Sequence, residues 1–184
     1  MIRAFIAFEL PPEVKTYLGE VISGLRRNRA PVRWVNPEGL HVTLKFLGDI
    51  EEKIIPSLSR QLNDIAASYM QLQVSFSNLG AFPDVRRPRV IWAGLRGDTA
   101  MMTEIAGKID RMCMSFGMEK EKRPFRAHIT IGRLKVPSMV DLAQELRDTG
   151  FTIQNVILYQ SELSSQGARY VVMNRSVLGQ KKGE

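Results

Sequence analysis

His41-Val42-Thr43-Leu44-Lys45-Phe46-Leu47-Gly48 and its later echo, His128-Ile129-Thr130-Ile131-Gly132-Arg133, decide how this chain is read. Side chains two apart on a strand share a face. His41 and Thr43 therefore point one way, and Val42, Leu44 and Phe46 point the other. His128 and Thr130 share a face in the same manner, opposed by Ile129 and Ile131. Each segment reads as a strand with one apolar side and one side that presents an imidazole beside a hydroxyl. Lys45 and Arg126 fall on the histidine faces, where they read as solvated cations that add positive field.

Working outward, residues 2–8 are aromatic and aliphatic and stop before Pro11-Pro12, the pattern of a buried strand. Val14, Leu18, Val21, Ile22 and Leu25 follow at helical spacing behind the prolines, which suit a helix start. Asn36-Pro37-Glu38-Gly39 is turn chemistry just before the first motif strand, 40–47. A helix over 51–70 and a strand over 72–76 complete the first half. The second half repeats the scheme: strand 90–95, Asp98-Thr99 as a helix cap, helix 99–116, strand 126–133 and helix 139–147. Strands 151–162 and 168–178, joined by a turn at 164–167, precede a polar tail from 179.

The opening strand leads the motif by about 35 residues in both halves, from Ile6 to His41 and from Trp92 to His128. Such a repeat predicts duplication, with two lobes related by an approximate two-fold axis that sets the two His–Thr pairs across a common cleft. No low-complexity linker divides the chain. Residues 1–184 read as a single compact domain of two pseudo-symmetric lobes, about 1–80 and 81–184, with end strands free to exchange between them.

Composition narrows the class of partner. Lys and Arg number 26 against 19 Asp and Glu, a net charge of +7 over 184 residues, which favours an anion such as RNA or a phosphorylated small molecule. Arg86, Arg87 and Arg89 crowd one loop. Lys120, Lys122, Arg123, Arg126, Arg133 and Lys135 surround the second motif and read as a phosphate-facing rim. Cys113 is the one cysteine, so no intrachain disulfide forms, and its apolar helical setting marks a core filler. The first ten residues, interrupted by Arg3 and Glu9, do not make a signal peptide, and no apolar run has membrane-spanning length. The chain reads as a cytoplasmic monomer.

A lone His-x-Thr in a strand is usually a half-buried structural histidine. Here both histidines of the chain carry a Thr two residues on, although only seven threonines are present. Chance would do this on the order of once in several hundred such sequences. Two imidazoles and two hydroxyls suit in-line displacement at a phosphodiester. One ring, neutral, takes a proton from water while the other, protonated, donates to the departing oxygen. The hydroxyls donate to the non-bridging oxygens, where charge accumulates. G-x-x-x-x-G-K-[ST] and G-x-G-x-x-G are missing, which argues against triphosphate and dinucleotide enzymes. No carboxylate or cysteine set is singled out beside either histidine, so no metal and no cofactor is called for.

These residues resemble the 2H phosphoesterase superfamily, with its two H-x-[TS] motifs, and in particular its RNA 2′,3′-cyclic phosphodiesterase (2′-5′ RNA ligase) branch. Arg123-Pro-Phe125, Arg89-Val-Ile-Trp-Ala-Gly94, Leu158-Tyr-Gln-Ser-Glu-Leu163 and Gly167-Ala-Arg-Tyr170 are similar to it too. The resemblance implies an α+β, bilobal duplicated fold of two mainly antiparallel sheets, with helices on the outside and the histidines facing each other across a central catalytic groove. It also implies metal-free hydrolysis of RNA 2′,3′-cyclic phosphate ends to a 2′-phosphate, with 2′-5′ joining of tRNA halves in some members. By the same resemblance His41 and His128 are catalytic, with His41 given the acid role and His128 the base role. Thr43 and Thr130 bind the phosphate, and Phe46 and Arg133 contact the terminal nucleotide. Strict alternation sets those last two on the wrong face, so their strands must bend. The rival readings are a 2H phosphodiesterase for a small cyclic nucleotide and a non-catalytic RNA-binding module.

Overall fold

A computed structural model describes residues 1–28, 30–164 and 167–179. The opening apolar run forms β1 (Ile2–Glu9), buried without a break from residue 4 to residue 8. Both of its faces are covered. Ala4, Ile6 and Phe8 enter the main core, while Phe5 and Ala7 join a smaller cluster with Ile157 and Tyr159. α1 (Pro12–Leu25) starts on its proline and buries Val14, Leu18, Val21, Ile22 and Leu25. β2 (Val32–Trp34) was not legible in the sequence. It precedes the Pro37–Gly39 turn and β3 (His41–Ile50), which carries the first motif. α2 (Ile55–Ala67) buries Leu58, Leu62 and Ala66, one residue per turn. There follow β4 (Leu72–Phe82), β5 (Val90–Gly97), α3 (Thr99–Ser115), β6 (His128–Leu134), β7 (Gly150–Ile153), β8 (Asn155–Ser164) and β9 (Gly167–Val177).

The strands form two antiparallel sheets, ordered β3-β1-β8-β9 and β2-β6-β5-β4-β7, and the α+β class stands as expected. Each sheet takes strands from both halves of the sequence: β8 and β9 join β1 and β3, while β2 and β4 lie with β5, β6 and β7. One continuous core runs through both sheets. The two motif strands, β3 and β6, meet where the sheets adjoin. Cys113 is buried in that core, and burial pushes its thiol up to about 12, so it is inert packing.

Several expectations need correction. The single strand over 151–162 is two strands. β7 completes one sheet, and after Gln154 the chain crosses to the other as β8. The helix over 51–70 is shorter, because a 3-10 turn (Glu52–Ile54) precedes it and it stops at Ala67. Asp98 stands at the N-terminus of α3, but its carboxylate accepts from the Gln73 amide at 2.7 Å and does not cap the helix. Residues 139–147 are not helical. Asp141 Oδ1 accepts from the Ala143 amide, the Arg147 amide donates to Tyr17 Oη at 2.7 Å, and Val140 is buried. A nine-residue helix is marginal alone, and the bond to Tyr17 on α1 and the burial of Val140 hold the segment as an irregular strap instead. The turn expected at 164–167 includes Ser165 and Gln166, which lie outside the described residues, as does the tail from 180.

The strap makes a local test possible. Tyr17→Phe keeps the ring, over which the Arg147 guanidinium lies at 4.9 Å, and removes only the hydroxyl acceptor. It is expected to cost about 1 kcal/mol in urea unfolding and to speed hydrogen exchange of the Arg147 amide. An unchanged exchange rate would show that the strap does not depend on this bond.

Candidate active site

The site begins with an irregularity that both motif strands share. Against β1, Ala7 pairs with Thr43 and Ile6 with Lys45, so Leu44 is an extra residue in β3. Against β5, Trp92 pairs with Thr130 and Ile91 with Gly132, so Ile131 is an extra residue in β6. These are β-bulges three residues after each histidine, and each turns the alternation over. Beyond the first, Lys45 is buried and Phe46 is 62% exposed. Beyond the second, Gly132 is buried and Arg133 exposed. The fifth residue after each histidine is thereby returned to the histidine side. Phe46 lies 6.1 Å from the Phe5 ring, which is itself 4.8 Å from His41. The Arg133 charge bears on both imidazoles. Lys45 goes the other way. Expected as a solvated cation beside His41, it is 6% exposed and paired with Asp110, because the bulge turns it into the core.

Each imidazole is held in the same way. His41 Nδ1 lies 2.7 Å from the Gly39 carbonyl and His128 Nδ1 lies 2.6 Å from the Arg126 carbonyl, in each case two residues upstream. A carbonyl oxygen can only accept, so Nδ1 must carry the proton and Nε2 the lone pair. No carboxylate performs this orientation. Glu9 sits opposite His41 across the strands, but its carboxylate is taken by Arg175 at 2.7 Å and Asn155 at 2.8 Å. Thr43 and Thr130 remain on the histidine faces, ahead of the bulges, and are half-buried.

Aromatic rings wall both histidines. Phe5 and Tyr170 flank His41, the latter edge-on at 5.4 Å, with Tyr159 behind at 6.2 Å. Burial, with the Glu9 charge, pushes the Tyr159 phenol up to about 12, so it stays protonated. Phe82 meets His128 edge-on at 5.1 Å, and the Arg126 guanidinium lies 5.7 Å over that ring. Burial pushes His41 down to about 4, helped by the charges of Lys15, Arg133 and His128 and opposed by its bond to Gly39. His128 is lowered as well, by burial first and then by Arg133 and Arg126. Both rings are therefore neutral near pH 7.

Of the cations expected around the second motif, Arg126 and Arg133 reach the histidines. Lys120, Lys122 and Arg123 instead line, with Phe46, a cavity of about 740 Å³. Lys15 was missed. It lies on α1, its ammonium donates to the Glu38 carbonyl at 2.9 Å, and only the tertiary fold brings it near His41. Phe5, Phe82 and Tyr159 were also missed, since nothing marks an apolar strand residue as packing against an imidazole from another strand. Among the described residues, no group of three or more His, Cys, Asp or Glu gathers as a metal site would need. No described helix is long and apolar enough to cross a membrane.

The fold has counterparts among solved structures. The chain is similar to TT0787 of Thermus thermophilus (TM-score 0.86, 26% identity, covering 98% of this chain and 100% of that one). It is also similar to E. coli LigT complexed with 3′-AMP (TM-score 0.83, 25% identity, 97% and 99%). The LigT-like phosphoesterase model matches residues 8–92 and 98–170, and the chain belongs to that family, a 2H phosphoesterase family. Its relatives include proteins named RNA 2′,3′-cyclic phosphodiesterase from Aquifex aeolicus (30% identity, 97% of this chain and 98% of that one) and Aeropyrum pernix (29%, 83% and 90%).

The electrostatics can be read directly by titrating the two imidazole C–H signals by NMR. Both midpoints are expected below 6.5, with His41 near 4. Lys15→Met, which removes a cation, raises the His41 midpoint. The folded rings bind protons more weakly than the unfolded ones, so their contribution to stability is whole above the ordinary imidazole range. It is lost as the pH falls from 6.5 towards 4. A His41 midpoint at or above 6.5 would contradict this account.

Proposed function

We propose that the chain hydrolyses RNA 2′,3′-cyclic phosphate ends to 2′-phosphomonoesters, with His41 as acid and His128 as base. The observation that carries this reading is the matched pair of imidazoles. Each is tied through Nδ1 to a backbone carbonyl, so each offers Nε2 beside a threonine, and Arg133 bears on both rings. The names of the relatives from Aquifex aeolicus and Aeropyrum pernix support the same substrate class.

In this mechanism the phosphate seats between the rings. His128, already neutral, takes a proton from water as the water oxygen bonds to phosphorus. The bond from phosphorus to the 3′-oxygen breaks opposite it, and His41 gives its proton to that oxygen. His41 is charged in the complex because the phosphate anion offsets the burial that holds it near 4 when the groove is empty. Thr43, Thr130 and Arg133 stabilise the charge on the non-bridging oxygens. Phe46 stacks on the terminal base, and Arg133 adds a cation beside it. A nucleoside 5′-hydroxyl in place of water would give a 2′-5′ bond, which accounts for ligation of tRNA halves by the same groups. The chemistry uses no metal or cofactor. The net charge of +7 suits an RNA partner, and the chain is taken to act as a cytoplasmic monomer.

An oligoribonucleotide with a 2′,3′-cyclic phosphate end tests the proposal. His41→Ala and His128→Ala each lose about 10²-fold or more. Thr43→Ala and Thr130→Ala lose less, about tenfold, as one hydrogen bond to a charged group would require. Near-wild-type turnover by either histidine variant ends the mechanism. Activity persists in excess EDTA, whereas loss restored by a divalent ion would point to a metal enzyme. Chromatography against standards gives the 2′-phosphate, and a dominant 3′-phosphate would exchange the two histidine roles.

The pH profile carries the sign of the shifts. The competent free form needs one ring protonated and both rings lie below 6.5, so kcat/KM should peak on the acid side of 6.5. Bound phosphate raises the acid, so the kcat profile should lie at higher pH. Coincident profiles centred above 7 would rule this out.

A further inference from the structure

Lys45 is a buried charge inside the first motif that the mechanism does not use. Its ammonium lies 2.7 Å from Asp110 Oδ1 on α3 and 2.7 Å from the Glu119 carbonyl. The same Asp110 oxygen accepts from the Glu121 amide at 3.0 Å. Burial pushes the Asp110 carboxyl up, but these bonds and the nearby ammonium outweigh it and hold it ionised. A buried pair of this kind is weak support for stability, since a well-packed apolar pair often serves as well or better. The bulge does not require a charge at this position either. Its counterpart in β6 is Gly132, where a Cβ would stand 2.6 Å from Val32 Cγ1.

The pattern of β3 shows what the pair resists. Val42, Leu44 and Phe46 alternate as a straight strand would want, with Phe46 buried and Lys45 in solvent. The observed strand does the reverse, with Leu47 buried in place of Phe46. A one-residue slip at Leu44 separates the two arrangements, and a second irregularity at Leu47 ends the exchanged stretch. We infer that Lys45 and Asp110 are positioning residues: their ion pair pins the bulged register of β3 and so delivers the Phe46 ring to the catalytic groove beside Phe5. This rests on the reading above, in which Phe46 stacks on the terminal base.

The test replaces both charges, because Lys45→Met alone would strand the Asp110 carboxylate. Lys45→Met/Asp110→Leu folds with a Tm close to the parent's, and kcat on the cyclic-phosphate oligonucleotide stays within about threefold. KM rises about tenfold, the scale of one lost base–aromatic stack. Phe46→Ala raises KM similarly, and the triple variant is no worse than Phe46→Ala, because the pair acts through that ring. Effects that multiply in the triple variant, or an unchanged KM in the double, overturn the inference. An NMR cross-peak between the Phe46 and Phe5 rings, present in the parent and lost in the double variant, reads positioning without turnover. If the parent cleaves no cyclic phosphate, the functional reading falls, and this cross-peak still decides the role of Lys45. Its persistence in the double variant would overturn that role.

Discussion

An extra residue three places after each histidine, Leu44 in β3 and Ile131 in β6, decides which side chains stand on the histidine face. Ahead of each bulge, ordinary alternation puts histidine and threonine on one face. After it, the face is exchanged, so the fifth residue joins them and the fourth turns inward. Regular strands alone would set Lys45 beside the histidines and turn Phe46 and Arg133 away from them. The bulges add an aromatic ring on one side and a guanidinium on the other.

The same device, used twice, gives two histidine settings that match ahead of the bulge and differ beyond it. The imidazoles share their carbonyl anchors, their tautomer and their depressed proton affinity. The residues after the bulges differ: Lys45 and Phe46 in one strand, Gly132 and Arg133 in the other. In the proposed mechanism, the direction of attack therefore has to come from how a nucleotide lies between Phe46 and Arg133. Burial beside Lys15, Arg126 and Arg133 makes each ring a reluctant cation until an anion arrives. Proton uptake and phosphate binding are thus linked, each favouring the other.

The sheets are assembled across the sequence repeat. β8 and β9 return to lie beside β1, and β2 and β4 lie with the later strands, so the core is continuous and the groove has walls from distant segments. Tyr159 and Tyr170 on β8 and β9 reach His41 in this way. Local propensity yields to such packing elsewhere as well. The 139–147 segment has a helical pattern but is not helical, because the Tyr17 hydroxyl and the core offer it more than a short isolated helix would.

Periodicity and residue chemistry determined the α+β class, the repeat, most strands and helices, and the paired His-x-Thr motifs, because these depend on spacing along a strand or helix. They also exposed a conflict, since Phe46 and Arg133 stood on the wrong face of any regular strand. Only the tertiary structure resolved it, because a bulge is fixed by register against a neighbouring strand and not by the sequence of the bulged strand. Partners from remote segments were invisible for the same reason. Lys15 nears His41 through the Glu38 carbonyl, and Lys45 finds Asp110 on a helix 65 residues away. In the sequence, Lys45 looked like a surface cation. Whether a charge faces water or a partner is decided by what packs over it, and that is set by the whole fold.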